Sequence, residues 1–366
     1  MNNQEESKRE KAILVGVKLP HQFSWEIEDF LDELSLLADT AGAHVVDRVI
    51  QSRDKIDPAY YIGRGKAKEI CGQVKSRGIA IVIFDDDLSP AQVRNLESCI
   101  GIKILDRSGL ILDIFAIHAR TREAKIQVEL AQLKYLFPRL TRRWPHLSRQ
   151  EGGIGTRGPG ETQLEVDKRV IKRKIKKLQG ELQKIECQRE IRRKRRADIF
   201  KVAIIGYTNA GKSTILNTLS NSNIFVGDRL FATLDTTVRA VNLPHGQKVL
   251  ISDTVGFIRK LPPHLIASFR STLKETIDAD LLIEVIDLSH PKFEDHIESV
   301  SEVLMELEVS SKPTIMVFNK IDKIKEAGLM ERVKREYPDS VLISAARCIH
   351  INHLREKIVQ EVNGRY

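Results

Sequence analysis

The stretch KVAIIGYTNAGKST, residues 201–214, decides how this chain folds. Four apolar residues, 202–205, run straight into Gly206, Tyr207, Thr208, Asn209, Ala210, Gly211, Lys212, Ser213 and Thr214. That is the order of a strand, a glycine-rich loop and the start of a helix. The glycines let backbone N–H groups curl round phosphates at a helix N-terminus, whose dipole favours negative charge. Lys212 is placed to reach the β- and γ-phosphates of a nucleotide, and the Ser213 hydroxyl to ligate Mg²⁺. A chance glycine-bearing turn can match the loop, but not with the strand already in front of it.

The base is specified further on. Residues 319–322 read NKID directly after the apolar run 314–318, so Asn319, Lys320 and Asp322 stand at a strand's carboxyl end, where open α/β sheets bind ligands. The Asp322 carboxylate can accept from both the ring N–H and the exocyclic amine of guanine. Adenine lacks that donor pair, so the expected nucleotide is GTP rather than ATP. Asp253, Thr254, Val255 and Gly256 follow a strand at 248–251; Asp253 is placed beside the Mg²⁺ shell and Gly256 beside the γ-phosphate. Ser344, Ala345 and Ala346 follow a strand at 341–343 and are expected to close over the base edge.

In this order, each at a strand end, these segments resemble the translation-factor class of GTPases. The resemblance implies a Mg²⁺-binding switch threonine between the phosphate loop and Asp253. Phe231, Ala232, Thr233, Leu234, Asp235, Thr236 and Thr237 form a threonine-rich stretch in that interval. Thr233 takes the role, with Thr236 or Thr237 as alternatives and a solvated Thr/Asp loop as the plain reading. The expected metal set is Ser213, Thr233 and Asp253, and the expected catalytic set is Lys212, Thr233 and Gly256. Phe257 stands where signalling GTPases carry the glutamine that orients attacking water. Phenylalanine cannot do this, so hydrolysis by the isolated protein is expected to be slow and partner-stimulated. Asn209 keeps two readings: a residue beside a K⁺ ion, as in GTPases similar to this one, or an asparagine that tolerates an unusual loop dihedral.

The 366 residues are enough for two or three domains, and 42% hydrophobic content fits a globular chain. The longest apolar run, 79–84, has six residues, and 12–17 is too short and too closely flanked by charge for a signal sequence. A cytoplasmic protein without a membrane span is expected, at most peripheral to a membrane, acting as a monomer. Four cysteines without paired spacing fit reduced thiols. Cys348, His350 and His353 form the one cluster that suggests a metal, but their spacing matches no standard zinc pattern.

Charge is concentrated in one place. Residues 168–196 hold fourteen Lys or Arg against three Glu, a surplus larger than the whole chain's +9. Such a stripe attracts a polyanion, with salt-dependent and sequence-blind affinity. The bland alternative is a solvated helix face. Within the stripe Leu164, Ile171, Leu178 and Ile185 recur every seven residues with Ile175 and Leu182 between them, the seam of a packed helix. Ile126, Leu133 and Leu140, with Leu130 and Phe137, give the matching seam upstream. An antiparallel hairpin is therefore expected, one helix starting near His118 and the other near Glu161. The connector sets Arg142, Arg143, Trp144, His146, Arg149 and Arg157 among six Gly or Pro residues at 152–160. It reads as an RNA-contacting tip, with arginine for phosphates and Trp144 for an unpaired base.

Short apolar strands at 12–18, 44–50, 79–84 and 103–105 alternate with helical patterns at 25–39, 66–77 and 90–98, a small α/β domain with a largely parallel sheet. The loop 60–66, YYIGRGK, offers weak evidence of phosphate binding, and Asp85, Asp86 and Asp87 read as a charged strand-end turn rather than a metal site. The segments YYIGRGKA (60–67), FDDDLSPAQVRNLE (84–97), DRSGLILDIFA (106–116), TREAKIQVELAQLKYLFPRL (121–140) and GGIGTRGPGETQLE (152–165) resemble the HflX GTPases. That resemblance implies a factor that binds the ribosome, chiefly its 50S subunit and rRNA, and splits stalled or hibernating ribosomes. A ribosome-assembly GTPase and a non-catalytic nucleotide sensor that silences ribosomes are the alternatives. The expected architecture is α/β: a small domain at 1–117, a basic helical hairpin at 118–198 and a P-loop GTPase domain at 199–366.

Overall fold

The computed structural model describes residues 9–140, 163–194, 199–220, 230–231, 236–260, 262, 265, 273–324, 326 and 328–364. Contacts gather into two units, Met1–Ile117 with Lys125–Lys184, and His118–Ala124 with Ile185–Tyr366.

The first unit begins β1 (Glu10–Lys18), α1 (Ser24–Thr40), β2 (Ala43–Ser52), α2 (Arg64–Arg77), β3 (Ile81–Phe84), α3 (Pro90–Ile100) and β4 (Lys103–Asp106). The strands pair in the order β2-β1-β3-β4, all parallel, as the strand–helix alternation requires. β1 is covered on both faces, which is why it reads as an unbroken apolar run. On one face Gly16 admits α1: a Cβ there would lie 3.1 Å from Ile27 Cγ2 and 3.4 Å from Leu31 Cδ1. The other face packs Ile13, Val15, Val82 and Phe84 against Ile70 of α2 and Leu96 of α3. α3 starts where Ser89 Oγ accepts from the Gln92 amide at 3.2 Å and Gln92 returns a bond to the Ser89 amide at 2.8 Å.

Sequence periodicity missed α4 (Arg107–His118). Leu110, Ile111, Leu112, Ile114 and Phe115 are all buried, so the helix has no polar face to give a 3.6-residue signal. Arg107, 2% exposed, pairs with Glu33 of α1 and with Asp85 at 2.8 Å, and Asp86 accepts from the Tyr61 hydroxyl at 2.5 Å. Asp85 and Asp86 of the acidic turn after β3 are therefore engaged within the fold, one in an ion pair and the other in a hydrogen bond. Asp106, fully buried, accepts from the Gly109 amide (2.9 Å), Tyr135 hydroxyl (2.6 Å), Leu88 amide (3.2 Å) and Arg139 guanidinium (2.9 Å).

Tyr135 and Arg139 belong to α5 (Arg122–Leu136) and the single turn after it, Phe137–Arg139. α6 (Gln163–Lys194) is the basic helix. The seams expected from the sevenfold spacing are buried at Ile126, Leu130, Leu140, Ile171 and Leu178. Lys174 pairs with Glu129 at 2.6 Å, and the Lys172 ammonium lies 5.6 Å from the centre of the Phe137 ring. The helices thus run antiparallel. The tip, 141–162, residues 195–198, and the side chains of 163–164 and 189–194 lie outside the described residues.

The second unit holds β5 (Lys201–Gly206), α7 (Lys212–Ser220), β6 (Thr237–Asn242), β7 (Lys248–Asp253), α8 (Lys274–Ile277), β8 (Leu281–Asp287), α9 (Phe293–Glu306), β9 (Thr314–Asn319), α10 (Leu329–Glu336), β10 (Val341–Leu342) and α11 (Ile351–Gly364). Its six strands run in the order β10-β9-β8-β5-β7-β6, parallel except for β6. β6 is an edge strand; the sequence reading placed only a threonine-rich loop up to its first residue. Ile204, Val249, Ile251, Ile283 and Val317 join α7 and α11 in one core, and Ala203, Ile205 and Leu282 join α9 in another. No described helix is long and apolar enough to cross a membrane.

Candidate nucleotide-binding site

β5 delivers the chain into residues 206–212 along a path that two glycines permit. Gly206 has φ +139, and a Cβ there would lie 2.2 Å from the Val285 carbonyl oxygen. Gly211 has φ +97, and its Cβ would lie 2.3 Å from Asn319 Nδ2. Asn209 between them takes φ +60, which suits its loop-forming reading.

Lys212 opens α7 almost wholly buried, with Nζ donating to the carbonyls of Gly206 (3.1 Å) and Tyr207 (2.7 Å). Burial pushes its pKa down to about 8, against the pull of Asp253 and with the help of Lys320. Asp253 ends β7 fully buried, its Oδ2 accepting from the Ser213 hydroxyl at 2.5 Å. No hydrogen bond reaches its buried Oδ1 among the described residues. Desolvation holds this carboxyl above its ordinary pKa. A carboxylate oxygen without a donor, beside a serine hydroxyl, fits Mg²⁺, which keeps several waters and takes few protein ligands. Among the described residues no three His, Cys, Asp or Glu side chains converge to hold a metal, so Cys348, His350 and His353 form no such site.

The segment after Asp253 crosses the phosphate loop. Thr254, fully buried, donates from Oγ1 to the Ile204 carbonyl at 2.7 Å. A Cβ on Gly256 would lie 2.7 Å from Thr208 Cα and 2.9 Å from Lys212 Nζ. Val255 and Phe257 are buried, Phe257 within the α9-side core. Phe231 is buried with φ +56, and Thr237 opens β6 in register with Asp253. Ala232 and Thr233 lie outside the described residues.

Asn319 joins the loop 206–212 to the segment after β10. Nearly fully buried, it donates from Nδ2 to the Ala210 carbonyl at 2.8 Å and accepts on Oδ1 from the Ala345 amide at 3.0 Å. Asp322 accepts from the Ser344 hydroxyl at 2.5 Å, which together with Arg347, 3.6 Å away, holds its carboxyl below the usual range. Ser344 is buried and Ala346 exposed. Lys320 adopts φ +64 and pairs with Asp287 of β8 at 2.7 Å. Sequence reasoning missed Asp287 and Arg347, although Asp287 carries the signal that marked Asn319: a polar residue ending an apolar strand. Residues 206–213, 253–256, 319–322 and 344–345 are therefore brought together at the carboxyl ends of β5, β7, β9 and β10.

Residues 28–116 match a family model described as GTP-binding GTPase N-terminal, 118–196 one described as GTP-binding GTPase Middle Region, and 201–320 one described as 50S ribosome-binding GTPase. The chain is 45% identical to the GTPase HflX of Flavobacterium psychrophilum over 96% of this chain and 90% of that one. It is 44% identical to the GTPase HflX of Escherichia coli over 97% and 83%. The chain belongs to the HflX GTPase family. Like its family, it is a GTP-binding and GTP-hydrolysing protein. Among solved structures it is similar to the SsGBP and GDP complex, at 29% identity over 96% of this chain and 98% of that one, with a TM-score of 0.51. A GTP-binding protein from the archaeon Sulfolobus solfataricus in complex with GDP is similar at 28% identity over 98% and 100%, with a TM-score of 0.48.

Proposed function

We propose that this HflX-family chain is a GTP-switched factor for the large ribosomal subunit that separates stalled or hibernating 70S ribosomes into subunits. The observation that carries the reading is the match of residues 201–320 to the 50S ribosome-binding GTPase model. The cations of α6 support it: Lys168, Arg169, Lys172, Arg173 and Lys176, with Glu165, line a groove of about 490 Å³. Positions four and eight apart share a helix face, so this side of α6 offers a row of charges to an rRNA backbone.

In this reading Asp322 selects guanine, and Lys320, Ala345 and Ala346 flank the base. The loop 206–214 and Lys212 hold the phosphates, and Ser213, Asp253 and Thr233 hold Mg²⁺. The Gly256 amide meets the γ-phosphate, and GTP orders Thr233 to fix the form that binds the ribosome. A K⁺ ion beside Asn209 is the finer assignment, tested by comparing hydrolysis in K⁺ and in Na⁺. The protein acts in the cytoplasm as a monomer, through a domain at 1–117, a hairpin at 118–198 and a GTPase domain at 199–366.

Co-sedimentation with purified 50S, 30S and 70S particles, in GDP, GTP or a non-hydrolysable analogue, tests the reading. Pelleting with 50S and 70S in the triphosphate forms is expected. Failure to pellet with either in every nucleotide overturns it, and binding confined to immature 50S precursors makes the protein an assembly factor instead.

A further inference from the structure

Tyr207 follows the first glycine of the phosphate loop, but its side chain turns away from the loop's concave side. Its ring, 5% exposed, stacks on the His296 ring of α9 with centroids 3.8 Å apart and planes within 5°. His296 in turn lies against the His290 ring at 4.3 Å. The hydroxyl at the end of this stack accepts from the Arg259 amide at 2.9 Å.

That hydrogen bond closes a seam. β5 and β7 pair in parallel up to Ile204 and Asp253, after which the chain leaves the sheet for residues 254–256 and returns. On return, the Phe257 amide donates to the Gly206 carbonyl at 3.1 Å, and the Phe257 carbonyl accepts from the Thr208 amide at 2.8 Å. The Tyr207 hydroxyl extends the seam two residues further, to Arg259. Gly256, whose Cβ would lie 2.9 Å from Lys212 Nζ, is thus held from both sides, by Thr254 on Ile204 and by this seam.

We propose that Tyr207 is a positioning residue for GTP hydrolysis: its hydroxyl, aimed by the stack on His296, fixes the segment at 257–259 and through it the place of Gly256 beside Lys212. A buried ring stacked on His296, which is itself backed by His290, has little rotational freedom, so the hydroxyl is an anchor of fixed direction. Where no glutamine orients the attacking water, the backbone at Gly256 carries more of the placement at the γ-phosphate, and looseness there raises the barrier. The inference rests on the GTPase activity of the family and not on ribosome binding.

The test uses the full-length protein without ribosomes. Tyr207→Phe keeps the ring and removes the acceptor. Losing one such hydrogen bond is expected to slow single-turnover hydrolysis at saturating GTP by about five- to tenfold and to speed deuterium exchange at the Arg259 amide by a similar factor. Affinity for GDP, which does not engage the segment after Gly256, is expected to change by less than about twofold. His296→Ala keeps the hydroxyl but removes the support of the ring, and should act in the same direction; His296→Phe, which restores a stacking ring, should recover most of the rate. Wild-type rate and exchange in Tyr207→Phe overturn the proposal. So does a loss of GDP affinity equal to the loss of rate, which would make Tyr207 part of the phosphate cradle, and so does a faster rate, which would make the seam a restraint.

Discussion

Raising the pH tests the buried state of Lys212. Its ammonium is enclosed and donates to two carbonyls, and burial lowers its pKa from 10.5 to about 8. Below pH 8 the lysine is charged both folded and unfolded, so its effect on stability is constant there. Between pH 8 and 10.5 the folded form is neutral while the unfolded chain still binds the proton. Unfolding takes up a proton in that window, so stability rises with pH. A displacement of two and a half pH units corresponds to about 3 kcal/mol gained across it. Other lysines and tyrosines titrate there too, so the comparison is with Lys212→Met, which cannot titrate. Urea unfolding at pH 7, 8, 9 and 10 should show the wild type gaining on the variant by about 1 kcal/mol per pH unit above 8. Saturating GDP should abolish the gain, because a phosphate beside the ammonium keeps it charged. A difference between the two proteins that is constant from pH 7 to 10 would refute the buried, depressed lysine.

Other outcomes follow from neighbouring groups. Glu284 of β8 is buried, and desolvation pushes its pKa up from 4.5 to about 7. The folded form therefore holds a proton that the unfolded chain releases, and stability falls as pH rises from 4.5 to 7; Glu284→Gln should flatten that fall in the same urea series. Asn319→Ala leaves the Ala210 carbonyl and Ala345 amide unpaired. It should lower stability by about 2–4 kcal/mol and weaken GDP binding at least tenfold, read by denaturation and fluorescent-nucleotide titration. Asp322→Asn should exchange preference from guanine to xanthine nucleotides in competition binding; unchanged GTP affinity removes Asp322 from the base site. Replacing Lys168, Arg169, Lys172, Arg173 and Lys176 by Gln should weaken 50S binding and flatten its salt dependence while GTP binding persists.

The convergence of the candidate nucleotide site was legible because each of its segments is local. Residues 201–214, 253–256, 319–322 and 344–346 are each a short run after a strand, and the parallel sheet brings strand ends together. The parallel sheet of the first unit and the helical seams were legible for a similar reason, since strand runs and sevenfold spacing repeat within one element. What stayed hidden depends on contacts between distant residues. α4 is buried all round and shows no period, and Asp106 gathers partners from 88, 109, 135 and 139. Nothing along the sequence shows that Tyr207 turns its ring to His296, nor that Asp287 holds Lys320. Such pairings arise only when the sheet sets neighbouring strands in register.

The central claim is tested most directly by following light scattering of 70S ribosomes mixed with the protein in GTP, in GDP or in a non-hydrolysable GTP analogue. The account predicts loss of 70S scattering in GTP and little change in GDP. The analogue separates splitting that needs only triphosphate binding from splitting that needs hydrolysis. Intact 70S particles in all three nucleotides, under conditions where the protein demonstrably binds them, would contradict it and leave occupancy alone as the function.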